Sequence, residues 1–209
     1  MTKHLKSIYS QLFHYDAVRK LKRELDGGYT VLDLGCGWNS PLQYCTVKES
    51  LGVDTYDHYL HLSKQKAIHS DYLKRDISEL QLETNSFDVV LCSQVLEHLS
   101  KKEGYQILEK MEEWARKKII VTTPNGFLPK PSYDGNENQE HLSGWTVEDL
   151  RRLGFKVRGS SGFNIIRQKC KPTMFWRAVF NMTSLFTPYL PQYAFQLFAV
   201  KNIPEEKQD

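Results

Sequence analysis

The stretch Val31-Leu32-Asp33-Leu34-Gly35-Cys36-Gly37-Trp38-Asn39-Ser40-Pro41-Leu42 limits the fold more than any other part of the chain. Its apolar start reads as a strand buried on both faces, and the two glycines after it let the backbone turn sharply or let a ligand approach closely. Asp33 precedes the turn, and a second acid, Asp54, ends another short apolar run 21 residues later. Strand, glycine turn and distant carboxylate together describe an open α/β sheet with a nucleotide crevice. In such a sheet the second acid accepts the ribose hydroxyls.

Apolar runs at 29–34, 50–54, 72–75, 87–92 and 118–123 predict a parallel set of strands, with helical connections between them. Residues 154–157 return to strand, and 194–201 read as an antiparallel last strand. The 209 residues suffice for one substantial core, so the expectation is a single domain over 1–209. Its N-terminal segment, 1–28, has apolar positions at helical spacing and is stopped by Gly27-Gly28.

A dinucleotide fingerprint would continue to a third glycine and set a pyrophosphate on the next helix N-terminus. Here Ser40 and Pro41 stand in that place, where Asn39 or Ser40 can cap a helix that begins at Pro41. Asp33 adds negative charge where a pyrophosphate would have to sit. The same carboxylate suits S-adenosylmethionine, which carries a sulfonium and an α-ammonium group and no phosphate. Further on, Asp76-Ile77 sets an acceptor beside an apolar side chain, which suits an adenine amino group and an adenine face. The run from Phe87 to Leu99 then ends in Ser93-Gln94-Val95-Leu96-Glu97-His98-Leu99.

With these motifs in order over 31–154, the chain resembles the class I S-adenosylmethionine-dependent methyltransferases, in the group with a Leu-Glu-His-Leu segment after the fourth strand. The resemblance implies a doubly wound, seven-stranded, mostly parallel sheet with an antiparallel last strand, the Rossmann-like methyltransferase fold. It gives Asp33, Gly35, Cys36 and Gly37 to the methionine end of the cofactor and Asp54 to the ribose. It gives Asp76 and Ile77 to the adenine, and Ser93 and Gln94 to the wall beside the cofactor. Asn39 departs from the pattern, since many members have a third close glycine there. Cys36 itself reads as a packing residue between turn glycines, not as a nucleophile.

Charge and cysteine content narrow the partners. Twenty-eight Lys and Arg against 25 Asp and Glu leave a formal charge of only +3, and the basic clusters are scattered, so no nucleic acid partner is expected. The four cysteines form no Cys-x-x-Cys pair and no signal peptide is recognisable, so a reducing cytoplasm is the expected compartment. After Thr123 a loop rich in turn formers leads to Glu140-His141, and Thr146 with Asp149 reads as a capped helix start.

Residues 172–191 carry Met174, Phe175, Trp176, Val179, Phe180, Met182, Leu185, Phe186 and Leu190, a heavier apolar load than a connection needs. Arg177, Asn181 and prolines rule out a membrane span. A helix packed on the sheet or on a second copy of the chain, a lid over an apolar acceptor, and a helix dipping into a membrane surface all remain open.

Transfer of a methyl group from sulfur is an in-line displacement, and a hydroxyl acceptor also needs a base. His98 and His141 are the candidates for that role, each with a structural alternative as a capping, core or loop histidine. His14 and Tyr15 are candidates for covering the cofactor, although nothing in their spacing requires it. Relatives that hold a divalent ion do so with Glu-x-x-Glu-His. Gln94 replaces the first carboxylate here, so no metal is expected. The expected activity is methylation of a small or lipid-like acceptor, at oxygen before nitrogen or carbon. A binding or scaffold protein of the same fold is the alternative, and a nicotinamide oxidoreductase is disfavoured by Asp33 and Ser40.

Overall fold

In the computed structural model, residues 16–132, 135–165, 179 and 182–204 are described here. His14, Tyr15, Cys170 and most of the first half of the 172–191 segment lie outside them. The chain begins with helix α1 (16–25) and then alternates: β1 (Thr30–Leu34), β2 (Glu49–Asp54), α2 (Asp57–Gln65), β3 (Asp71–Lys74), β4 (Phe87–Ser93), α3 (Lys101–Trp114), β5 (Ala115–Pro124), α4 (Val147–Arg152), β6 (Lys156–Phe163) and β7 (Ala194–Asn202). The strands form one sheet in the order β3-β2-β1-β4-β5-β7-β6. Strands β1 to β5 pair in parallel, and β7 runs antiparallel between β5 and β6. The sheet expected from the motif order is the sheet observed.

Both faces of the sheet are covered, which is why its central strands read as unbroken apolar runs. Leu32, Leu34, Val90, Cys92, Ile119 and Val121 point to one side and pack with Ile107, Leu108 and Met111 of α3 and Leu150 of α4. Val31, Val89, Leu91 and Ile120 point to the other and pack with Leu21 and Leu25 of α1 and with Leu42. Helix α1 is fixed by charge as well as by packing. The buried Asp16 carboxylate pairs with Lys20 and accepts a bond from the Ser160 hydroxyl of β6 at 3.1 Å.

Three local expectations change. The β1–β2 connection carries only a 3-10 turn, Pro41–Tyr44, capped by the Ser40 hydroxyl, and the β3–β4 connection carries only Ile77–Glu79. Both are too short for the helices that a regular alternation predicts. Strand β5 starts at Ala115, ahead of the apolar run: Ala115 pairs with Phe87, and the register with β4 shifts across the exposed Arg116 and Lys117 before Lys118 pairs with Val89. Strand β6 runs on to Phe163 through a register shift, with Ser161 and Gly162 at φ 64° and 68°, so its small polar residues hide it from an apolar pattern.

The order reverses between β1 and β4, so the crevice outside their carboxyl ends is where a ligand of such a sheet binds. The loop after β5 returns across that edge, with bridges from Asn125 and Gly126 to Trp145. Trp145 is fully buried, donates from Nε1 to Leu96 O and Ser143 Oγ, and has the Lys101 ammonium 3.7 Å from its ring centroid. It joins α3 to the wall of the crevice. Trp145→Ala is expected to lower unfolding free energy by about 3–5 kcal/mol, read as a lower denaturant midpoint with an unchanged slope.

Candidate active site

The site is built at the carboxyl ends of β1, β2 and β4. Strand β1 is followed by Gly35 at φ 61°, where a Cβ would strike the Val95 side chain, and by Gly37 at φ 56°, so the turn is open to glycine and hostile to other residues. Asp54, at the end of β2, holds that turn: its carboxylate accepts from Gly37 N and from Tyr56 N, each at 2.8 Å. Cys36 N donates to Val53 O at 3.0 Å. The Cys36 sulfur is buried against Gly52 and burial pushes its thiol far up, so it stays neutral and acts as packing.

Beneath the turn Asp33 is buried and accepts from the Ser40 hydroxyl. Burial raises its carboxyl to about 7 against the lowering effect of Ser40, and the Asp54 charge raises it further. His69 is also buried, with Nε2 3.5 Å from Asp33 Oδ2, and neither of its ring nitrogens makes a hydrogen bond. Burial drops the His69 ring to about 4, so it is neutral at pH 7 and leaves Asp33 without a paired cation. Burial raises Asp54 also, opposed by its backbone donors. A positive ligand is what this arrangement lacks, because it would stabilise carboxylates that burial penalises.

Two adjoining cavities gather the expected residues. One is lined by Gly35, Asp54, Asp76, Ile77, Gln94 and His98, and the other by Asp33, Gly35, Cys36, Gly37, Ser93, Gln94, Glu97, His98 and His141. Gly35, Gln94 and His98 belong to both, so the residues singled out for cofactor or catalysis, His14 and Tyr15 apart, line one connected cleft. Asp76 caps the turn after it, accepting from Ser78 N and Oγ through Oδ1. Ser93 shares a bond with Thr122 Oγ1 at 2.9 Å. Gln94 sits at φ 59°, with its amide between Thr122 and Gln196.

The opposite wall holds a cluster that sequence spacing does not reveal. The rings of His98 and His141 meet edge to face with centroids 4.8 Å apart, although 42 residues separate His98 from Glu140. Leu142 N and Ser143 N both donate to Glu97 O, which stitches the second segment to the first. His98 Nδ1 faces Glu140 O at 3.0 Å and His141 Nδ1 faces Leu128 O at 2.6 Å. A carbonyl only accepts, so each Nδ1 carries the proton and each Nε2 keeps a lone pair. Burial holds both rings below the usual histidine range, His98 at about 4. Glu97 is buried, accepts from Thr123 Oγ1 at 3.1 Å, and is raised by burial to about 7.

Glu97, His98 and His141 each offer a ligand atom, all within 4.8 Å of one another, so together they could hold a divalent ion. Gln94 takes no part, because its amide is engaged elsewhere; the third ligand comes from His141 across the loop. Among the charged residues that line the cavity, Glu97 and Lys130 are the two to which the sequence reading gave no role. For Glu97 the signal was present, in its adjacency to His98.

Linkage gives Asp33 a measurable signature. Its folded carboxyl lies near 7 against an ordinary 3.8, so its contribution to stability is complete below pH 3.8 and is lost as pH rises to about 7. Asp33→Asn is expected to stabilise the ligand-free protein above pH 7 by about 1–3 kcal/mol and to flatten stability between pH 4 and 7. Equal destabilisation at all pH values in denaturant melts would contradict this.

Residues 32–121 match the methyltransferase domain family. A protein of Methanocaldococcus jannaschii is 24% identical over 140 residues, which are 67% of this chain and 60% of that relative's length. Among solved structures, a methyltransferase from Archaeoglobus fulgidus superposes with TM-score 0.60 at 18% identity, covering 94% of this chain and 99% of its own. The magnesium protoporphyrin IX methyltransferase of Synechocystis with bound S-adenosylhomocysteine gives 0.59 at 17% identity, covering 98% and 89%. A chain from the Haloferax volcanii complex of the Trm112 methyltransferase activator with a methyltransferase gives 0.63 at 14%, covering 98% and 95%. At these identities the superpositions speak to fold. Residues 32–121, which carry the glycine turn and the strand ends around the cleft, thus match the methyltransferase domain family, and the chain as a whole has the Rossmann-like methyltransferase fold.

Proposed function

We propose that this chain is a working enzyme that moves the methyl group of S-adenosylmethionine to an oxygen of a small or lipid-like acceptor. The observation that carries this is the pair of histidines, His98 and His141, each with Nδ1 on a backbone carbonyl and both lining the cleft that the glycine turn and Asp54 also line. The cleft fits the cofactor on three counts. Gly35 and Gly37 present bare backbone, Asp54 ends β2 beside that turn, and neither the buried Asp33 nor the half-buried Asp54 has a charged cation against it among the described residues. Bound S-adenosylmethionine supplies an electrophilic methyl carbon attached to a positively charged sulfur.

The chain's residues then do four things. Asp54 holds the ribose and the turn at once; Asp76 and Ile77 take the adenine; Asp33 and the 35–37 backbone take the methionine end; Ser93 and Gln94 form the wall near the reacting centre. One of the two histidines accepts the acceptor's proton at Nε2 as the new carbon–oxygen bond forms and the carbon–sulfur bond breaks. Both rings are neutral at pH 7, so the base is ready without a prior deprotonation. Cys36, Cys45 and Cys92 are free thiols, in keeping with a reducing cytoplasm.

A second reading is favoured by Glu97. With a divalent ion on Glu97, His98 and His141, the acceptor oxygen would be polarised by the metal instead of deprotonated by a ring. One experiment separates the readings. S-adenosylhomocysteine release is followed across a panel of hydroxyl, amine and lipid acceptors, beside calorimetric titration with S-adenosylmethionine. The His98→Ala/His141→Ala double variant is expected to lose about 10²–10⁴ in kcat with cofactor binding intact, whereas Asp54→Ala loses the binding. Activity that survives a chelator supports the base, and activity lost and restored by added magnesium or manganese supports the metal. No binding heat from folded protein, or no turnover with any acceptor, would reject the proposal in favour of a non-catalytic scaffold, and full turnover by the double variant would remove both histidines from the chemistry.

A further inference from the structure

Asp33, Gly52 and Tyr72 stand side by side on β1, β2 and β3, since Gly52 pairs with Asp33 on one side and with Tyr72 on the other. A side chain at position 52 would separate the acid from the tyrosine. Glycine leaves that space open, and the His69 imidazole fills it: a Cβ on Gly52 would fall 2.5 Å from His69 Cδ2. The ring meets Tyr72 edge to face with centroids 5.2 Å apart, and its Nε2 lies 3.5 Å from Asp33 Oδ2. The backbone that carries it is fixed on both sides. After α2 the chain turns at Ala67, whose φ of 50° is left-handed. His69 N donates to the Tyr72 hydroxyl at 3.0 Å, and Ser50 and Ser70 exchange backbone-to-hydroxyl bonds at 3.0 and 3.3 Å.

The ring itself has no such anchor. Its side chain is fully buried, and neither nitrogen has a hydrogen-bond partner among the described residues. A buried polar group left without a partner costs free energy, so packing alone would favour leucine or phenylalanine in that space. The polar group within reach is Asp33. Its Oδ2 accepts from the Ser40 hydroxyl and is also the oxygen that His69 Nε2 approaches, so both neighbours address one side of the carboxyl. Asp33 itself lines the cavity at the glycine turn, whereas His69 stands behind it.

We propose that His69 is a positioning residue for the cofactor: its Nε2–H closes on Oδ2 of the ionised Asp33 and leaves Oδ1 for the α-ammonium of the methionine end, so that binding expels the Asp33 proton to solvent. The proposal rests on the reading that Asp33 takes the methionine end. The ligand brings its own cation, the carboxyl gives its proton to the buffer, and His69 stays neutral throughout. Burial holds the ligand-free carboxyl at about 7 and the His69 ring at about 4, so between those values the free protein carries the proton on Asp33 and no charge on His69. Affinity for a ligand that needs the carboxylate then falls as pH drops below 7 and levels off above it. The other titratable groups around the pair are Asp54 at the end of β2, the thiols of Cys36, Cys45 and Cys92, Tyr72 on β3 and Lys64 of α2, whose ammonium is 5.6 Å from the Tyr72 ring centroid. The thiols are pushed up by burial and stay neutral, and the Tyr72 hydroxyl donates to Ser63 O. Glu97, also raised to about 7, lines the same cavity and is the rival source of a proton.

The test titrates S-adenosylhomocysteine into the full chain by calorimetry from about pH 5 to about pH 8, in buffers that differ in ionisation heat. Below pH 7 the affinity is expected to fall about tenfold per pH unit, with about one proton released per ligand bound. Asp33→Asn is expected to bind more weakly and to lose both the slope and the released proton. His69→Leu fills the same space without an N–H and is expected to lose about tenfold or more in affinity above pH 7. His69→Gln, whose amide N–H takes the place of Nε2–H, is expected to recover most of that loss. Far-UV circular dichroism and the denaturant midpoint report that each variant is folded. Equal affinity in the leucine and glutamine variants, whatever its level, overturns the proposal, because His69 would then act by filling space. Proton release that survives Asp33→Asn overturns it too and assigns the proton to Glu97. Binding that is independent of pH overturns this inference and leaves the methyl-transfer reading standing, whereas no binding at any pH overturns both.

Discussion

The Asp54 carboxylate is the point on which the site depends. By accepting from Gly37 N and Tyr56 N at 2.8 Å it ties the turn after β1 to the end of β2, and so fixes the backbone that a cofactor must touch. That tie works only because both turn glycines adopt left-handed backbone and because Val95 closes over Gly35. Under the turn, Asp33 is buried with a neutral histidine for its neighbour, which leaves the pocket short of one positive charge. A sulfonium nucleoside answers that deficit, and a diphosphate would deepen it.

The remaining wall solves a different problem. Glu97, His98 and His141 come from segments that are joined where Glu97 O accepts two backbone donors from Leu142 and Ser143, and where Trp145 is anchored on Leu96. Backbone carbonyls fix the tautomer of both rings, and burial keeps them neutral. The same geometry serves a proton acceptor or an ion, and in either case it lines the cavity that Asp33 and the 35–37 turn also line.

How much of this was legible in the sequence depended on the range of the interaction. The sheet was, because strands buried on both faces leave apolar runs and the glycine turn with its distant acid leaves a spacing. The residues expected to hold the cofactor lie at or next to strand ends that those runs locate, which is why adjoining cavities gather them. The bend in β6 was not, since Ser160, Ser161 and Gly162 carry no apolar period. Nor was the meeting of His98 with His141, which a loop across the crevice creates, nor the burial of His69 beside Asp33, which packing alone decides. The threonine-in, apolar-out face of 182–190 needed coordinates as well. The sequence held its composition, and only the fold says which side faces water.

The most direct test of the central claim is a crystal structure of the chain with S-adenosylhomocysteine. The account predicts the ribose hydroxyls on the Asp54 carboxylate, the adenine against Ile77 and Asp76, and the amino acid end over the 35–37 turn above Asp33. A nucleoside bound elsewhere, or bound in the cleft with Asp54 still turned wholly to the backbone, would contradict it.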